Sequence, residues 1–366
     1  MMKGVALLDN FFLYFSENEV ILWDVVHHDQ WALDKETLIN ILDKFYSDVQ
    51  TGETKAADFL QSNGAFISGD LARKQWGWDV LSWFYHYGTK LSLPPSTEGK
   101  EGASEDPRVS WVGQYVDYCK QVPEKAKGKY NYPEVDIPLN SFPTTNQLES
   151  VFGTRFSSRK FVPGTTLKRE LLEKILFHCV KFRTSPFVEK FYKAHSDKIN
   201  YFGYFRSSPA GGALQATDIY LIVHSVQGID PGIYLYNPID HGLTKVGGPV
   251  SHDKIRRLLV GQPYAEGAAV NICFVCKFNR FWSKYRHSRI YRMAYLEAGH
   301  LSENIFLYAH SLKQDVFIAG AFYDEEFESL LKLDKDSAMV FFMAIGEGEH
   351  ACFPVEYLPS DSTKLV

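Results

Sequence analysis

Three short stretches of this 366-residue chain combine residue types that could bind or transform a ligand. In the first, Arg155-Phe156-Ser157-Ser158-Arg159, two guanidiniums and a hydroxyl occupy alternate positions. Alternate side chains leave an extended backbone on the same side. Arg155, Ser157 and Arg159 would then make a fork suited to a phosphate, or to a polyol chain carrying one. A pair of solvated surface arginines is the plainer reading of the same residues. The second stretch is Arg206-Ser207-Ser208-Pro209-Ala210-Gly211-Gly212-Ala213. Its small side chains would let the backbone come close to a planar ligand and offer it N–H donors. An ordinary Pro-Gly turn has the same composition. The third, Lys277 to Arg292, holds six Lys/Arg and no acid before Glu297. It admits a nucleic-acid patch with interleaved aromatics, a solvated basic face, or a local arrangement in which Lys284 lies beside Tyr285. In that last case the neighbouring cations favour the phenolate and the neutral amine, and the pair is poised for proton transfer.

Other spacings promise less. Cys273-Phe-Val-Cys276 has the interval of a redox motif, but its surroundings are those of a buried strand. Glu297-Ala-Gly-His300 has a helical metal-pair interval without a second such pair, and His27-His28 has no nearby Cys or His. No metal site is expected. The chain has no Gly-x-Ser-x-Gly, no phosphate-binding Walker loop and no Gly-x-Gly-x-x-Gly.

Composition bounds the class. Hydrophobic residues are 45% and charged residues 23%, a globular balance with enough apolar material for a sizeable core. The longest apolar run, Ala338 to Ile345, is too short to span a bilayer, and Asp9 interrupts the apolar N-terminal stretch after Lys3. Five scattered cysteines do not make a disulfide framework. A soluble, cytoplasmic protein without membrane or nucleic-acid partners is expected. Net charge is −5, with −6 over residues 1–90 and +1 over the rest, so an acidic front would repel a phosphate backbone.

The elements that must position these stretches are legible in outline. Phe11 to Phe15 and Val20 to Trp23 read as strands, and Asp34 caps a helix whose apolar face is Leu38, Ile41, Leu42 and Phe45. A further short helix ending near Asn63-Gly64, with Ala65 to Ile67 after it, would suit a winged-helix-like lobe over 1–92. An irregular α+β lobe is the alternative. Residues 93–148 are Pro-, Gly- and charge-rich connecting chain, and a second domain covers 149–366. There Thr165 and Thr166 precede a helix through Leu167, Leu171, Leu172, Ile175, Leu176 and Cys179. Ile219 to Val223, Gly232 to Tyr236, Val270 to Cys276 and Ala338 to Ile345 read as strands, and Ala294 to Leu312 as a long helix. Helices among buried strands make this domain an α+β sandwich.

Taken in order, Arg-x-Ser-x-Arg, the Pro-Ala-Gly-Gly turn before a strand, and Ile318-Ala-Gly320 in a loop after a helix resemble the nitroreductase-like FMN-binding α+β sandwich. The stretches SRKF, RSSPAGGAL, PGIYLYNP and SKYRHSRIYRMAYLEAGHLSENIFLYAHSL are similar, more narrowly, to SagB-type dehydrogenases, the azoline oxidases of azole-forming peptide pathways. The likeness covers about residues 150–350; the front third, where that family carries its peptide-recognition lobe, is looser. The resemblance implies that Arg155, Ser157 and Arg159 contact the flavin's phosphate, ribityl chain and pyrimidine edge. It implies that Ser208, Pro209, Ala210, Gly211 and Gly212 line the flavin, with Gly320 near its reactive edge. Lys284-Tyr285 matches the pair that marks the azoline-oxidising branch; either member could be the base for the Cα proton. Ala210 stands where the family often has Ser, which leaves it only a backbone donor. Also implied are hydride transfer to FMN, reoxidation by O2, a homodimer, a leader-bearing precursor peptide and cyclodehydratase partner proteins. The same fold could serve instead as an NAD(P)H-driven nitro, quinone or dehydroalanine reductase, or as a non-catalytic peptide-binding subunit.

Overall fold

The structure, a computed structural model, describes residues 11–15, 19–24, 29–51, 76–78, 80–91, 113, 117, 120–121, 137–194, 204–282 and 284–349. They fall into two compact units. One is drawn from 1–91, 277–292 and 334–338, the other from 92–276, 293–333 and 339–366.

In the first unit, β1 (Phe11–Phe15), β2 (Val20–Asp24) and β3 (Asp29–Leu33) form an antiparallel meander. The pleat sends Phe11, Leu13, Leu22, Trp31 and Leu33 to one face, where Ile41 packs on them. Ile41 comes from α1 (Lys35–Thr51), which opens as the sequence predicts: the Thr37 amide donates to Asp34 Oδ1 at 2.7 Å. Leu42, expected on the same face, is 40% exposed. Adjacent helical residues point about 100° apart, and five-residue strands offer a face wide enough for only one of them. The expected second helix and the short strand after it lie outside the described residues.

The rest of this unit is an aromatic cluster. α2 (Val80–Gly88) and the preceding Trp76 and Trp78 meet α7 (Phe278–Trp282) and the 3-10 turn Ser288–Tyr291. Trp76 lies edge-on to Trp83 at 5.8 Å and 5.3 Å from Phe278, and Tyr291 stacks on Phe278 at 5.3 Å. Two of the polar tips are paired inside, Trp76 Nε1 donating to Ser82 Oγ at 2.9 Å and His86 Nδ1 meeting the Tyr291 hydroxyl at 2.7 Å, while Trp83 Nε1 and Trp282 Nε1 are buried without a hydrogen bond. Gly77 is required by close approach, since a Cβ there would stand 2.3 Å from Trp282 Cγ.

The second unit is built on a six-stranded sheet in the order β6-β5-β4-β7-β9-β8. Its strands are β4 (Thr217–Val223), β5 (Gly232–Asn237), β6 (Gly242–Gly247), β7 (Val270–Lys277), β8 (Asp315–Ala319) and β9 (Ser337–Gly346). Both faces are buried, which explains why β4, β7 and β9 read as continuous apolar runs. Tyr220, Ile222, Cys273, Val275, Phe342 and Ala344 join one core with Ile255 and Leu258 of α6 (His252–Leu258) and Phe327 and Leu331 of α9 (Asp324–Leu331). Ile219, Leu221, Ile272 and Phe274 are as deeply buried on the opposite side of the pleat. α8 (Arg292–Ser311) buries the stripe Ala294, Ala298, Leu301, Ile305 and Ala309. This is an α+β fold with mixed helices and sheet.

Two local readings are corrected here. The helix expected to open after Thr165 and Thr166 is α4 (Arg169–Ile175), capped at Lys168 with no side-chain hydrogen bond. Leu167 is drawn into a bridge with Val226, which holds it extended, and the threonine hydroxyls turn to Val162 O and Ser225 Oγ. α3 (Gln147–Thr154) was not anticipated, although its capping box is written in the sequence: Asn146 Oδ1 accepts the Glu149 amide at 3.0 Å, and Glu149 Oε2 accepts the Asn146 amide at 3.2 Å. The remaining helix, α5, is Pro186–Ala194.

Burial makes stability pH-dependent. His224 stacks on His252 at 4.1 Å and bonds Asn271 Nδ2 at 2.8 Å. Burial first, and then His252, push its pKa down to about 4. His86 is held well below the usual histidine range by burial and then by Lys90. A histidine lowered in the fold binds its proton more readily when unfolded. Its stabilisation is therefore present above the unfolded value near 6.5 and is lost as pH falls toward the folded value. For His224 alone the loss between pH 7.5 and 5 is about 2 kcal/mol. Urea titrations at the two pH values should show it, and His224→Gln should flatten the difference.

Candidate functional site

The Arg155–Arg159 stretch leaves α3 as an extended segment laid along the sheet edge. The Ser158 amide donates to Val316 O of β8 at 2.8 Å, and the Val162 amide to Glu347 O just beyond β9 at 2.9 Å. Ser158 and Phe161 are buried, while Arg155 is exposed and Ser157 and Arg159 are partly so. Phe156 is partly exposed as well, so burial singles out Ser158 alone within 155–159. The Arg155 guanidinium lies 5.0 Å from the Phe306 ring centroid and that of Arg159 5.7 Å from Tyr264. Gly348 beside this segment leaves room for Asp315: a Cβ would fall 1.9 Å from Asp315 Oδ2. Gly320 is the first residue after β8, so the loop expected after a helix follows a strand instead, and Gly320 is exposed.

The Ser208–Gly212 turn is anchored by a π-helical turn, Leu176–Val180, that continues α4. Such a turn frees carbonyls from the helical ladder. Here Ser207 Oγ donates to Cys179 O at 2.8 Å and Arg206 Nε to Val180 O at 3.2 Å. Asn304 Nδ2 of α8 donates to Ser207 Oγ at 3.0 Å. The Arg155 guanidinium sits over Phe306 of the same helix, so α8 is the element common to both ligand-type segments. The backbone of the turn is unusual. Gly212, Ala213 and Gln215 have φ of +63°, +58° and +49°, and only the first is a glycine. Ala210 is extended.

Glu297 was set aside in the sequence as half of an incomplete metal pair. It is buried on α8, where Oε1 accepts the Thr217 amide at 2.9 Å and stands 3.9 Å from Arg206 Nη1. His300 is exposed, and among the described residues no three His, Cys, Asp or Glu side chains are placed to hold a metal ion. Cys273 and Cys276 are fully buried in β7 and form no disulfide; three residues apart, they point to opposite faces.

Lys284 and Tyr285 belong to the first unit. They occupy the turn closing α7: the Tyr285 amide donates to Phe281 O at 2.8 Å, and Trp78 Nε1 donates to Tyr285 O at 2.9 Å. Lys284 is exposed, Tyr285 is partly exposed, and the ammonium lies 5.5 Å from the phenol ring centroid. The nucleic-acid reading of this stretch loses three of its aromatics. Phe278, Phe281 and Tyr291 are buried in the cluster, so they offer no surface on which bases could stack.

A separate cavity of about 400 Å³ lies among α4, β5 and β6, with Glu173, Asp230, Tyr234, Tyr236 and His241 in its lining. The Tyr236 hydroxyl meets His241 Nδ1 at 2.7 Å, which leaves this pair satisfied within the protein. None of the candidate site residues read from the sequence lines it.

Residues 153–347, just over half of the chain, match the nitroreductase family. The chain belongs to the nitroreductase family. Its relatives include MJ1384 of Methanocaldococcus jannaschii, assigned by name to the nitroreductases, at 28% identity over 35% of this chain and 65% of that one. The trifolitoxin-processing protein TfxB of Rhizobium leguminosarum bv. trifolii is 25% identical over 62% of this chain and 58% of its own. The nitroreductase-family chain thus spans less than two thirds of either relative's length. Among solved structures, a chain of the E. coli microcin synthetase McbBCD complex with truncated pro-MccB17 bound is 20% identical with a TM-score of 0.44, over 68% of this chain and 99% of that chain. The matched span holds both ligand-type segments, Glu297 and Gly320, and it runs through Lys284 and Tyr285. No helix among the described residues is long and apolar enough to cross a membrane.

Proposed function

We propose that this chain is an FMN-dependent dehydrogenase that oxidises thiazoline or oxazoline rings to thiazole or oxazole in a ribosomally made precursor peptide. The observation that carries this reading is the Lys284–Tyr285 pair, an ammonium 5.5 Å from a partly exposed phenol ring on a turn fixed by two hydrogen bonds to its backbone. Membership of a family whose proteins generally use FMN, and likeness to a protein named for processing trifolitoxin, support it.

The donor set fits a flavin mononucleotide. Arg155, Ser157 and Arg159 would hold the phosphate, ribityl chain and pyrimidine edge. The Ser208–Gly212 backbone would supply close N–H contacts, and Gly320 would leave space at the reactive edge. When bound, FMN supplies the two-electron acceptor for the hydride that leaves the ring's Cβ. The chain's own part is to receive the Cα proton. Either Tyr285 or Lys284 would be the base that takes it. A leader-bearing precursor, cyclodehydratase partners and a homodimer belong to the same proposal.

The test is to purify the full chain, record its visible spectrum and add an azoline peptide without oxygen. Bleaching of the flavin band, with loss of two hydrogens per ring, is the expected result. A flavin bleached by NAD(P)H but not by the azoline peptide would favour the reductase reading that family membership alone allows. A protein that takes up no FMN would overturn both. Arg159→Ala should weaken FMN binding by about ten- to a hundredfold, the value of one charge-assisted bond to the phosphate or ring edge. Flavin fluorescence titration measures it; unchanged affinity would remove Arg159 from the site.

A further inference from the structure

We infer that Glu297 is a positioning residue: one buried carboxylate oxygen fastens both ends of the Arg206–Thr217 turn and so holds the turn in the shape its ligand needs. The ligand role rests on the proposed flavin contacts of residues 208–212; the fastening itself rests on geometry. Glu297 Oε1 accepts the Thr217 amide where β4 begins, at 2.9 Å, and faces the Arg206 guanidinium, where the turn begins, at 3.9 Å. Both side chains are 1% exposed, so the attraction acts with little screening by water. The guanidinium is held independently of the carboxylate. Its Nε donates to Val180 O at 3.2 Å, and its plane lies over Phe182 at 4.7 Å. Arg183 Nη2 donates to Arg206 O at 2.8 Å, and Gln215 Nε2 to Tyr204 O at 3.2 Å. Ten residues are thereby closed into a loop with a rigid base.

The base matters because the loop stores strain. Ala213 and Gln215 sit at φ of +58° and +49°, a region that side chains with a Cβ disfavour and that persists only where the surroundings over-determine it. Within the turn, the Ala213 amide reaches Ala210 O at 3.1 Å and the Leu214 amide Gly211 O at 3.3 Å, weak bonds for that task. Release of the Thr217 end would let Ala213 and Gln215 relax and would turn the amides of 211–214 away from their present directions.

The experiment uses the full chain as wild type, Glu297→Gln, Glu297→Ala and the double variant Glu297→Ala/Ala213→Gly. Two readouts are taken: amide hydrogen exchange over 207–217 against 270–276 of β7, and FMN affinity by flavin fluorescence. Glu297→Ala should speed exchange in 207–217 by about tenfold or more while β7 keeps its protection, and should weaken FMN by a similar factor. Glu297→Gln keeps an oxygen for the Thr217 amide without the charge opposite Arg206, so its effect should be smaller. Adding Ala213→Gly to Glu297→Ala should recover about fivefold of the lost affinity, because glycine adopts the left-handed region without strain. A Glu297 that merely fills the core would give a general loss of protection with no rescue, and that result overturns the inference. If Glu297→Ala does not fold, local exchange in Glu297→Gln decides it: faster only in 207–217 supports the fastening, unchanged overturns it. A wild type that binds no FMN but shows the local exchange response retains the fastening and removes the flavin reading.

Discussion

Tyr285→Phe is expected to leave the protein folded and loaded with FMN while azoline oxidation falls by about 10²–10⁴-fold, the usual range for removing a general base. The substitution deletes one oxygen and nothing that holds the turn. Tyr285 is anchored through its backbone, by Trp78 Nε1 on its carbonyl at 2.9 Å and by its amide on Phe281 O at 2.8 Å. The ring stays 5.5 Å from the Lys284 ammonium whether or not it carries a hydroxyl. Thermal midpoint and flavin content should match wild type, and only the rate of hydrogen loss from the peptide ring should drop. Lys284→Met supplies the companion measurement. If Tyr285 is the base, Lys284→Met keeps part of the rate that Tyr285→Phe removes. If Lys284 is the base, it removes the rate as Tyr285→Phe was expected to. An unchanged rate in Tyr285→Phe would withdraw the phenol from the chemistry.

Phe278→Ala is expected to carry the largest stability loss, about 3–5 kcal/mol. Phe278 is fully buried and sits at the centre of the aromatic cluster: 5.3 Å from Trp76, 5.2 Å from His86, and stacked on Tyr291 at 5.3 Å. These are rigid rings, and rings cannot flow into the space an absent phenyl leaves. The cavity would therefore stay open rather than collapse. The same residue starts the helix whose end carries Lys284 and Tyr285, and its amide donates to Asp336 O at 2.8 Å. A fall in urea midpoint should be joined by loss of oxidation rate, with flavin content less affected because Arg155, Arg159 and the 208–212 turn belong to the other unit. Phe278→Leu keeps most of the volume and should cost about 1.5 kcal/mol or less. A Phe278→Ala protein with wild-type stability would mean that the cluster is not packed as described.

The sequence alone determined the elements whose pattern is local. The β4, β7 and β9 strands stand where their continuous apolar runs are, because a strand buried on both faces has no polar positions to blur it. The Asp34 cap follows from backbone geometry over a few residues. The order of the ligand-type segments was enough to point to the nitroreductase fold. Tertiary structure decided what depends on partners distant in sequence. Leu167 is extended because Val226 pairs with it, so the helix starts at Arg169 although two threonines offer themselves earlier as caps. Leu42 is exposed because the small meander covers only one side of α1. The basic 277–292 stretch turns its aromatics inward because Trp76, Trp78 and Trp83, some 200 residues earlier, form the cluster they complete. Glu297 looked like half of a metal pair because its spacing to His300 is a sequence property. Its contacts, Thr217 and Arg206, are about 80 and 90 residues away and leave no periodic trace for a reader of the chain to find.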